Sequence, residues 1–484
     1  MITGRFAVPP RFVMLASFGG TSVLNYAFGL VMGWLLLPGD FGWLAFAQSI
    51  LLVGGLVLQS GFSWSLARAV ANSDGVERDA LVRGAFVANF VLATVLGMAV
   101  GSLFFLGPLK PGLETGTVAL LVALAFPFIS LAATARGCVQ GSELFGMVAS
   151  LQFTEIFCKV VAGTAMVLLG FGVAGAVAGF VVGGVLAAAL GLFYVRGLGV
   201  RLWGPLESPH MRAVAPMFAA LLGLSLLLNL DLAVLKLMSS ERALVGYYQA
   251  GLVLANAPYY LVMAALVPVL FVQLARHENM AATRKVVGET LGLTIALLLP
   301  IELVLTIFPR EMLVALFPDS YAPGASSLRL LAVGNALLML VGILSAAFQA
   351  IGRAKVPALT LLGGAFLEAL VLWMVVPLYS ALGAASVFIG ASATALSCLG
   401  VVYLREAGAV AVRQAGAWIL RYVVALGVSI AMGYVILKSG LGTGGVVVMG
   451  GTCYLGAALT LRLLSPPRLG NRLMLRKIVR QGEE

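Results

Sequence analysis

Charge is scarce in this chain. Only 10% of its 484 residues are Asp, Glu, Lys or Arg, against roughly 25% in a soluble domain, so a soluble globular fold is excluded. Cysteine is almost as rare. Cys138, Cys158, Cys398 and Cys453 fall within or at the ends of apolar segments with no paired spacing, which excludes a disulfide framework or thiolate metal site and leaves them as small hydrophobes. There is no metal-ligand cluster, no nucleophile triad and no Gly-rich Lys-Ser/Thr phosphate loop, so a built-in ATPase is not expected. Long polar loops are missing as well. The longest external connection, about Pro309 to Ser326, brings only Arg310, Glu311 and Asp319 as charges. That is too little for the external catalytic domain a membrane glycosyltransferase or polymerase would need, and the chain reads as a non-enzyme without cofactor.

What fills the sequence is apolar. Hydrophobic residues make up 61% of it and the mean hydropathy is +1.06. A hydrocarbon core of about 30 Å needs roughly 20 apolar helical residues, and about fourteen such stretches follow one another from Phe12 to Leu464. The first set spans 12–37, 43–66, 84–106, 117–135, 145–169 and 172–195. The second spans 213–238, 246–273, 286–309, 326–351, 356–377 and 381–404, and two more follow at 416–437 and 442–464. The first run is longer than a signal-peptide core and lacks a small-residue cleavage site, so it is expected to be retained as a transmembrane helix.

The formal net charge of +11 follows the membrane rather than nucleic acid. Arg5 and Arg11, then Arg68, Arg78 and Arg83, then Arg196, Arg201 and Arg212, then Arg276, Arg284 and Lys285 fall in alternate connections. Arg353, Lys355, Arg405, Arg413 and Arg421 continue the pattern. This positive-inside bias puts both termini in the cytoplasm. In the tail, Arg472, Arg476 and Arg480 recur beside Leu473, Met474 and Ile478, as in a short helix on an anionic leaflet.

The chain also repeats itself. Leu24-Asn25 with Gly42 returns as Leu228-Asn229 with Gly246 at an offset of 204, and Gln140, Tyr194 and Arg196 return as Gln349, Tyr403 and Arg405 at an offset of 209. The expected fold is an all-α polytopic membrane protein of two parallel-oriented six-helix bundles, 1–210 and 211–410, with two additional helices in 411–464 and a basic tail, 465–484. Paired bundles related by an axis along the membrane normal are an alternating-access architecture.

Ionisable groups inside such helices cost roughly 2.5–3.5 kcal/mol each on insertion scales, which makes them functional candidates. Glu155 and Lys159, four apart on one face, are expected to pair with each other, as a structural ion pair or a cavity contact. Asp231 follows Asn229 on the helix that opens the second bundle and is expected to face Asn25 on the first helix. Lys236 is expected to snorkel outward, Glu302 to be solvated at the outer interface, and Glu289 to be solvated at the cytoplasmic one. Glu368 reads either as a proton site or as an interhelical acceptor. Asn256 precedes Pro258, which strips the Leu254 carbonyl of its helical partner and frees it for a ligand or a neighbouring helix. Gln48, Gln59, Gln152, Gln249, Asn335 and Gln349 complete the embedded polar set. Trp34 and Trp43 bracket an external turn and Trp418 a cytoplasmic end, as interfacial anchors do.

The run Asn25-Tyr26 through Leu37-Pro38-Gly39-Asp40-Phe41-Gly42, with Ala45 and Gln48, resembles the opening of the polysaccharide-repeat (Wzx or RfbX-like) flippases of the multidrug/oligosaccharidyl-lipid/polysaccharide superfamily. Gly61 to Arg68, Asp231 to Tyr248 and Leu316 to Arg353 fit the same pattern, so the resemblance covers nearly the whole chain. It implies a flippase that moves an undecaprenyl-pyrophosphate-linked oligosaccharide across a bacterial cytoplasmic membrane, with membrane lipids, a polysaccharide polymerase and assembly proteins as partners. It also implies a cationic cavity, with Arg68 near the cytoplasmic mouth for the phosphates and Asn25 and Asp231 near the wall. The second bundle departs from that picture, because it carries more embedded acids than bases. Such acids suit coupling to H+ or Na+, and equally suit the alternative of a cation-coupled multidrug exporter of the same superfamily.

Overall fold

The computed structural model describes residues 10–106, 113–201, 203–207, 215–239, 241–275 and 280–407. The expected spans 416–437 and 442–464, the basic tail, Cys453 and Trp418 lie outside the described residues. Every described segment that could cross a bilayer is helical, as it must be where no water is present to satisfy backbone N–H and C=O groups.

The first helix, α1 (Pro10–Leu35), turns directly into α2 (Pro38–Leu56). Pro38 at the start and Asp40 in the first turn suit a helix N-terminus, where an N–H is dispensable and negative charge is favoured. A π-helical turn, Val57–Ser63, carries α2 into α3 (Trp64–Val70). Asn89, fully buried, holds that irregular turn: its amide Nδ2 donates to the Leu58 carbonyl at 3.1 Å and to Thr134 Oγ1 at 2.9 Å. Then come α4 (Gly75–Leu106), α5 (Leu113–Gly141), α6 (Phe145–Met166) and, after a second π turn at Val167–Phe171, α7 (Gly172–Gly197). Gly170 (φ 91°) and Gly172 (φ 51°) take left-handed backbone that a side chain would oppose, and there the chain folds α7 back along α6.

The second part runs α8 (Ala215–Leu227), α9 (Leu230–Met238), α10 (Arg242–Ala275), α11 (Met280–Ile307), α12 (Pro309–Leu316), a 3-10 turn (Asp319–Gly324), α13 (Ala325–Ala350) and α14 (Lys355–Ala407). The α8–α9 pair is bent by 45° at its break, the geometry of a broken span or a re-entrant loop. Among the described residues, eight helices are long and apolar enough to cross a membrane, nine with that pair. Two of the eight, of 53 and 51 residues, are each twice a bilayer span. They break at the α6–α7 turn and at Ser380 (φ 54°) in α14, which matches the separate spans expected there.

Among the later helices, α13 packs against α10, α11 and α14, while α5 packs against α4 and α7. The first two helices connect these groups: α1 lies on α6 and α10, and α2 on α5, α7 and α10. Gly42 and Gly246, matched by the 204-residue offset, meet back to back. A Cβ on Gly42 would sit 2.7 Å from the Gly246 nitrogen, and one on Gly246 would strike the Pro38 carbonyl.

The same end of the molecule is closed by a second seam. Trp34 Nε1 donates to the Leu316 carbonyl at 2.8 Å, and the Tyr321 hydroxyl donates to the Leu36 carbonyl at 2.9 Å. Phe41 meets the Tyr321 ring edge-on at 5.8 Å. The short segment expected to be a plain external loop is thus a helix and a 3-10 turn hooked onto α1 and α2. Trp34 therefore does more than the anchoring expected of it. Lys236 does not snorkel: it is buried, with its ammonium 4.1 Å above the Trp43 ring, a cation–π contact that substitutes for water. Glu302 is likewise not solvated. It is 2% exposed, and neither of its carboxylate oxygens has a partner among the described residues.

Candidate functional site

Along α6, Gln152, Glu155 and Lys159 lie three and four residues apart, so they form one polar stripe on an otherwise apolar helix. Glu155 is about 15 Å and Lys159 about 21 Å from the start of the helix at 1.5 Å per residue, inside a stretch apolar enough to cross a membrane. The expected Glu155–Lys159 pair does not form. Glu155 Oε2 instead accepts from Arg136 Nη2 of α5 at 2.7 Å, with the two side chains 18% and 14% exposed. Lys159 turns the other way, toward α1, and donates to Asn25 Oδ1. An arginine's forked donor is the better match to a carboxylate, and it reaches across from α5 without the bend an i,i+4 contact requires.

Lys159 is held by neutral groups. Besides Asn25, its ammonium lies 5.2 Å from the centre of the Phe28 ring and 4.8 Å from that of Phe180, both within cation–π range. Among the described residues no carboxylate stands within ion-pair distance of it. One turn earlier, Gln152 Nε2 donates to Thr21 Oγ1 at 3.3 Å, so the α1–α6 seam is polar over two turns. Gly179 and Gly183 let α7 approach from behind: a Cβ on Gly179 would be 2.6 Å from the Lys159 carbonyl, and one on Gly183 would strike the Glu155 carbonyl. The stripe is thereby fixed between three helices.

A second polar group lies in the later helices. Asn229 sits at the break between α8 and α9, where its Nδ2 donates to the Ser225 carbonyl at 2.7 Å. The break leaves backbone groups that a continuous helix would pair, and Asn229 meets one of them. Asp231 follows immediately. It is 0% exposed and its side chain turns to α10: its Oδ2 accepts from the Tyr248 hydroxyl at 2.5 Å while its Oδ1 accepts from the Leu232 N–H at 2.7 Å. Glu368 of α14 lies near enough to feel the charge of Asp231 and to act with its own on Tyr248. Its own two oxygens are buried without a partner among the described residues.

The remaining candidates are scattered. Arg68 is exposed at the end of α3, at the arginine-rich end of the molecule, and its carbonyl accepts from Asn72 Nδ2 at 2.6 Å. Asn256 is half-buried in α10, which runs on through Pro258, and its Oδ1 has no partner among the described residues. Glu289 is partly buried, with its Oε1 3.9 Å from Lys285 Nζ and without a hydrogen-bond partner among the described residues. No group of three or more His, Cys, Asp or Glu able to hold a metal occurs among the described residues. Cys138, Cys158 and Cys398 are free thiols.

Two side chains that complete these groups, Arg136 and Tyr248, escaped the sequence reading. Arg136 closes an apolar run at its edge and looks like a loop cation, yet α5 continues to Gly141. The apolar Gly137-Cys138-Val139 beyond it was the available signal. Tyr248 carried no signal apart from its place in a tyrosine pair.

The two groups differ in sign. The first joins two cations and one acid on α5 and α6, and the second joins two acids and a phenol on α9, α10 and α14. The first presents a cation, Lys159, held by neutral groups, and the second presents two buried carboxyl groups beside a phenol.

The family model for polysaccharide biosynthesis proteins matches residues 31–325. Among solved structures, "Lipid II flippase MurJ, inward closed conformation" superposes with a TM-score of 0.72 at 14% identity, covering 92% of this chain and 99% of that one. An inward-facing multidrug resistance MATE family transporter of the MOP superfamily gives 0.59 at 16% identity, over 80% of this chain and 93% of that one. The eukaryotic MATE transporter AtDTX14 gives 0.58 at 14%, over 81% and 93%. A search among curated proteins returns no match. At such identities the structural likeness establishes the fold alone, and the match over more than half of the chain establishes the rest: this multi-pass membrane protein belongs to the polysaccharide biosynthesis protein family and has the MOP-superfamily transporter fold.

Proposed function

We propose that the chain is a flippase carrying a polyprenyl-pyrophosphate-linked oligosaccharide across the bacterial cytoplasmic membrane by alternating access of its two halves, 1–210 and 211–410. The observation that carries this reading is Lys159, a buried cation held by an amide and two aromatic rings instead of a carboxylate. A cation so held has no opposite charge within ion-pair distance among the described residues, so an arriving anion supplies the coulombic attraction that an amide and two rings do not. A pyrophosphate is the anion that a lipid-linked sugar would bring. Lipid II, named as the substrate of the structurally similar MurJ, is of that class.

In this reading the arginine-rich end, with Arg68 at its mouth and both termini, is cytoplasmic, and the closed seam of Tyr321 and Trp34 is external. Asp231 and Glu368 take up H+ or Na+, and the chain itself performs no covalent step. One charge moved through 100 mV supplies about 2.3 kcal/mol, so one or two ions suffice for uphill work. Polysaccharide polymerase and assembly proteins would receive the product.

A second reading, cation-coupled drug export, is favoured by the same buried acid pair and by the MATE likeness. Deleting the gene and measuring radiolabelled lipid-linked repeats in each leaflet of spheroplasts separates the two. Inner-leaflet accumulation, reversed by the wild-type chain, is expected. Normal leaflet distribution with new drug sensitivity would refute the flippase.

A further inference from the structure

Between α7 and α8 the chain crosses from one half to the other, and Leu198, Arg201, Pro205 and Glu207 along its first stretch are all tied to α4. Arg83, 5% exposed, spends its guanidinium on this stretch alone: Nε donates to the Pro205 carbonyl at 2.9 Å and Nη1 to the Arg201 carbonyl at 2.5 Å. Asp79 Oδ2 accepts from the Arg201 N–H at 3.1 Å, the Glu207 N–H donates to the Ala80 carbonyl at 3.1 Å, and Arg78 Nη2 donates to the Leu198 carbonyl at 3.4 Å. Gly204 (φ 136°) turns the strap, and a Cβ there would lie 3.1 Å from Arg83 Nη2. A stretch held this firmly displays the side chain beside that turn, Trp203, 92% exposed, with Leu206 also exposed.

The depth of the strap indicates what covers the indole. The helix α4 has 32 residues, about 48 Å at 1.5 Å per residue, so it extends beyond the hydrocarbon. Its first nine residues carry Glu77, Arg78, Asp79 and Arg83, and the apolar run begins at Gly84. The strap packs against this boundary: a Cβ on Gly84 would strike the Glu207 carbonyl. Trp203 therefore stands level with the onset of the membrane-crossing part, where an amphipathic indole is most stable between headgroups and water. Arg196 and Arg201, both exposed, flank it with positive charge suited to anionic lipid.

We propose that this strap is a membrane anchor, in which Trp203 and Leu206 seat in the headgroup layer and fix the connection between the halves to the lipid. Its assignment to the inner leaflet rests on the orientation proposed above. The strap then moves with α4, and the second half swings about a point held in the bilayer.

The test is fluorescence of Trp203 in phosphatidylglycerol-containing vesicles. Trp34, Trp43, Trp64, Trp373 and Trp418 are replaced by Phe. Where that protein does not fold, the difference between the otherwise native chain and Trp203→Phe isolates the same signal. Emission blue-shifted from that of aqueous tryptophan is expected, with quenching at least twofold greater by lipids brominated near the headgroup than by lipids brominated near the acyl end. Water-like emission with no bromolipid quenching would overturn the anchor. So would a Trp203 unquenched in vesicles but shielded from acrylamide in native membranes, which would assign the surface to a protein. Transport plays no part in this readout. Iodide reaching Trp203 only from the external side would sink the orientation and leave the anchor standing.

Discussion

Replacing Tyr321 by Phe removes one hydroxyl from the seam between the 3-10 turn and α1, and changes no packing volume elsewhere. The ring is fully buried, and its hydroxyl donates to the Leu36 carbonyl at 2.9 Å, across 285 residues of chain. When this end opens, water reaches both groups, so the substitution weakens the closed form and leaves the open form nearly unchanged. Losing the bond costs about 1 kcal/mol net, and stranding the buried carbonyl adds up to roughly 1 more. A shift of about 1–2 kcal/mol is a factor of roughly 5–30 in the closed-to-open ratio. The assay is labelling of Ala45→Cys by a membrane-impermeant maleimide, in a background with the four native cysteines replaced by Ala. Ala45 is 2% exposed and lies one turn below Phe41, so it is reached only through an open seam. Where opening is fast relative to labelling, the rate follows the open population and should rise by about that factor. Trp34→Phe should act more weakly, because Trp34 is 62% exposed and water already competes for its N–H. Parental labelling in Tyr321→Phe, with a clear increase in Trp34→Phe, would refute the assignment of the seam as the closing element.

The remaining expectations concern the two polar groups and the halves' contact. Arg136→Gln or Glu155→Gln alone strands a charge in the membrane-embedded part of the protein, and each should lower the melting temperature in detergent more than the double variant, since breaking a buried pair costs more than replacing both members; a double variant worse than either single would contradict the pairing. Lys159→Met keeps the side chain's length but not its charge, and should leave the melting temperature near the parental value while abolishing leaflet transfer of lipid-linked repeats. Full transfer would remove Lys159 from the substrate path. Gly246→Ala drives a Cβ into the Pro38 carbonyl and should destabilise by about 1–3 kcal/mol as overpacking does, whereas Gly363→Ala, which meets nothing within 4 Å, should leave thermal unfolding unchanged. Asp231→Asn preserves shape and should fold, yet lose dependence of transport on the H+ or Na+ gradient; a retained dependence would move the coupling site elsewhere.

Helix existence was legible because hydrocarbon leaves the backbone few alternatives. Within the described residues, the spans expected up to 404 fall on helical chain, although 43–66 runs through α2, a π turn and α3, and the run from 213 to 238 holds the bent α8–α9 pair. The two glycines singled out by the 204-residue offset, Gly42 and Gly246, are in close contact, a meeting the offset itself does not state. Pairing was not legible. The Glu155–Lys159 reading used spacing within one helix, but in a bundle each face meets two or three other helices whose rotation the sequence does not state. Arg136 and Asn25, reaching from α5 and α1, outcompeted the local partner. Glu302 was misread for a related reason: nearness to a span's end was taken as nearness to water, but α11 continues into α12, which folds over that end. The errors share a direction. Lys236 and Glu302 were read as though their helices faced water, and Glu155 and Lys159 as though their helix stood alone, whereas the groups that carry charge here are turned toward other helices. A site made of such groups is defined by the arrangement of the bundle, so it changes whenever the helices tilt. That dependence is what an alternating-access carrier requires: in the form described here Lys159 is satisfied by α1, and any motion that parts α1 from α6 would release its charge to a ligand.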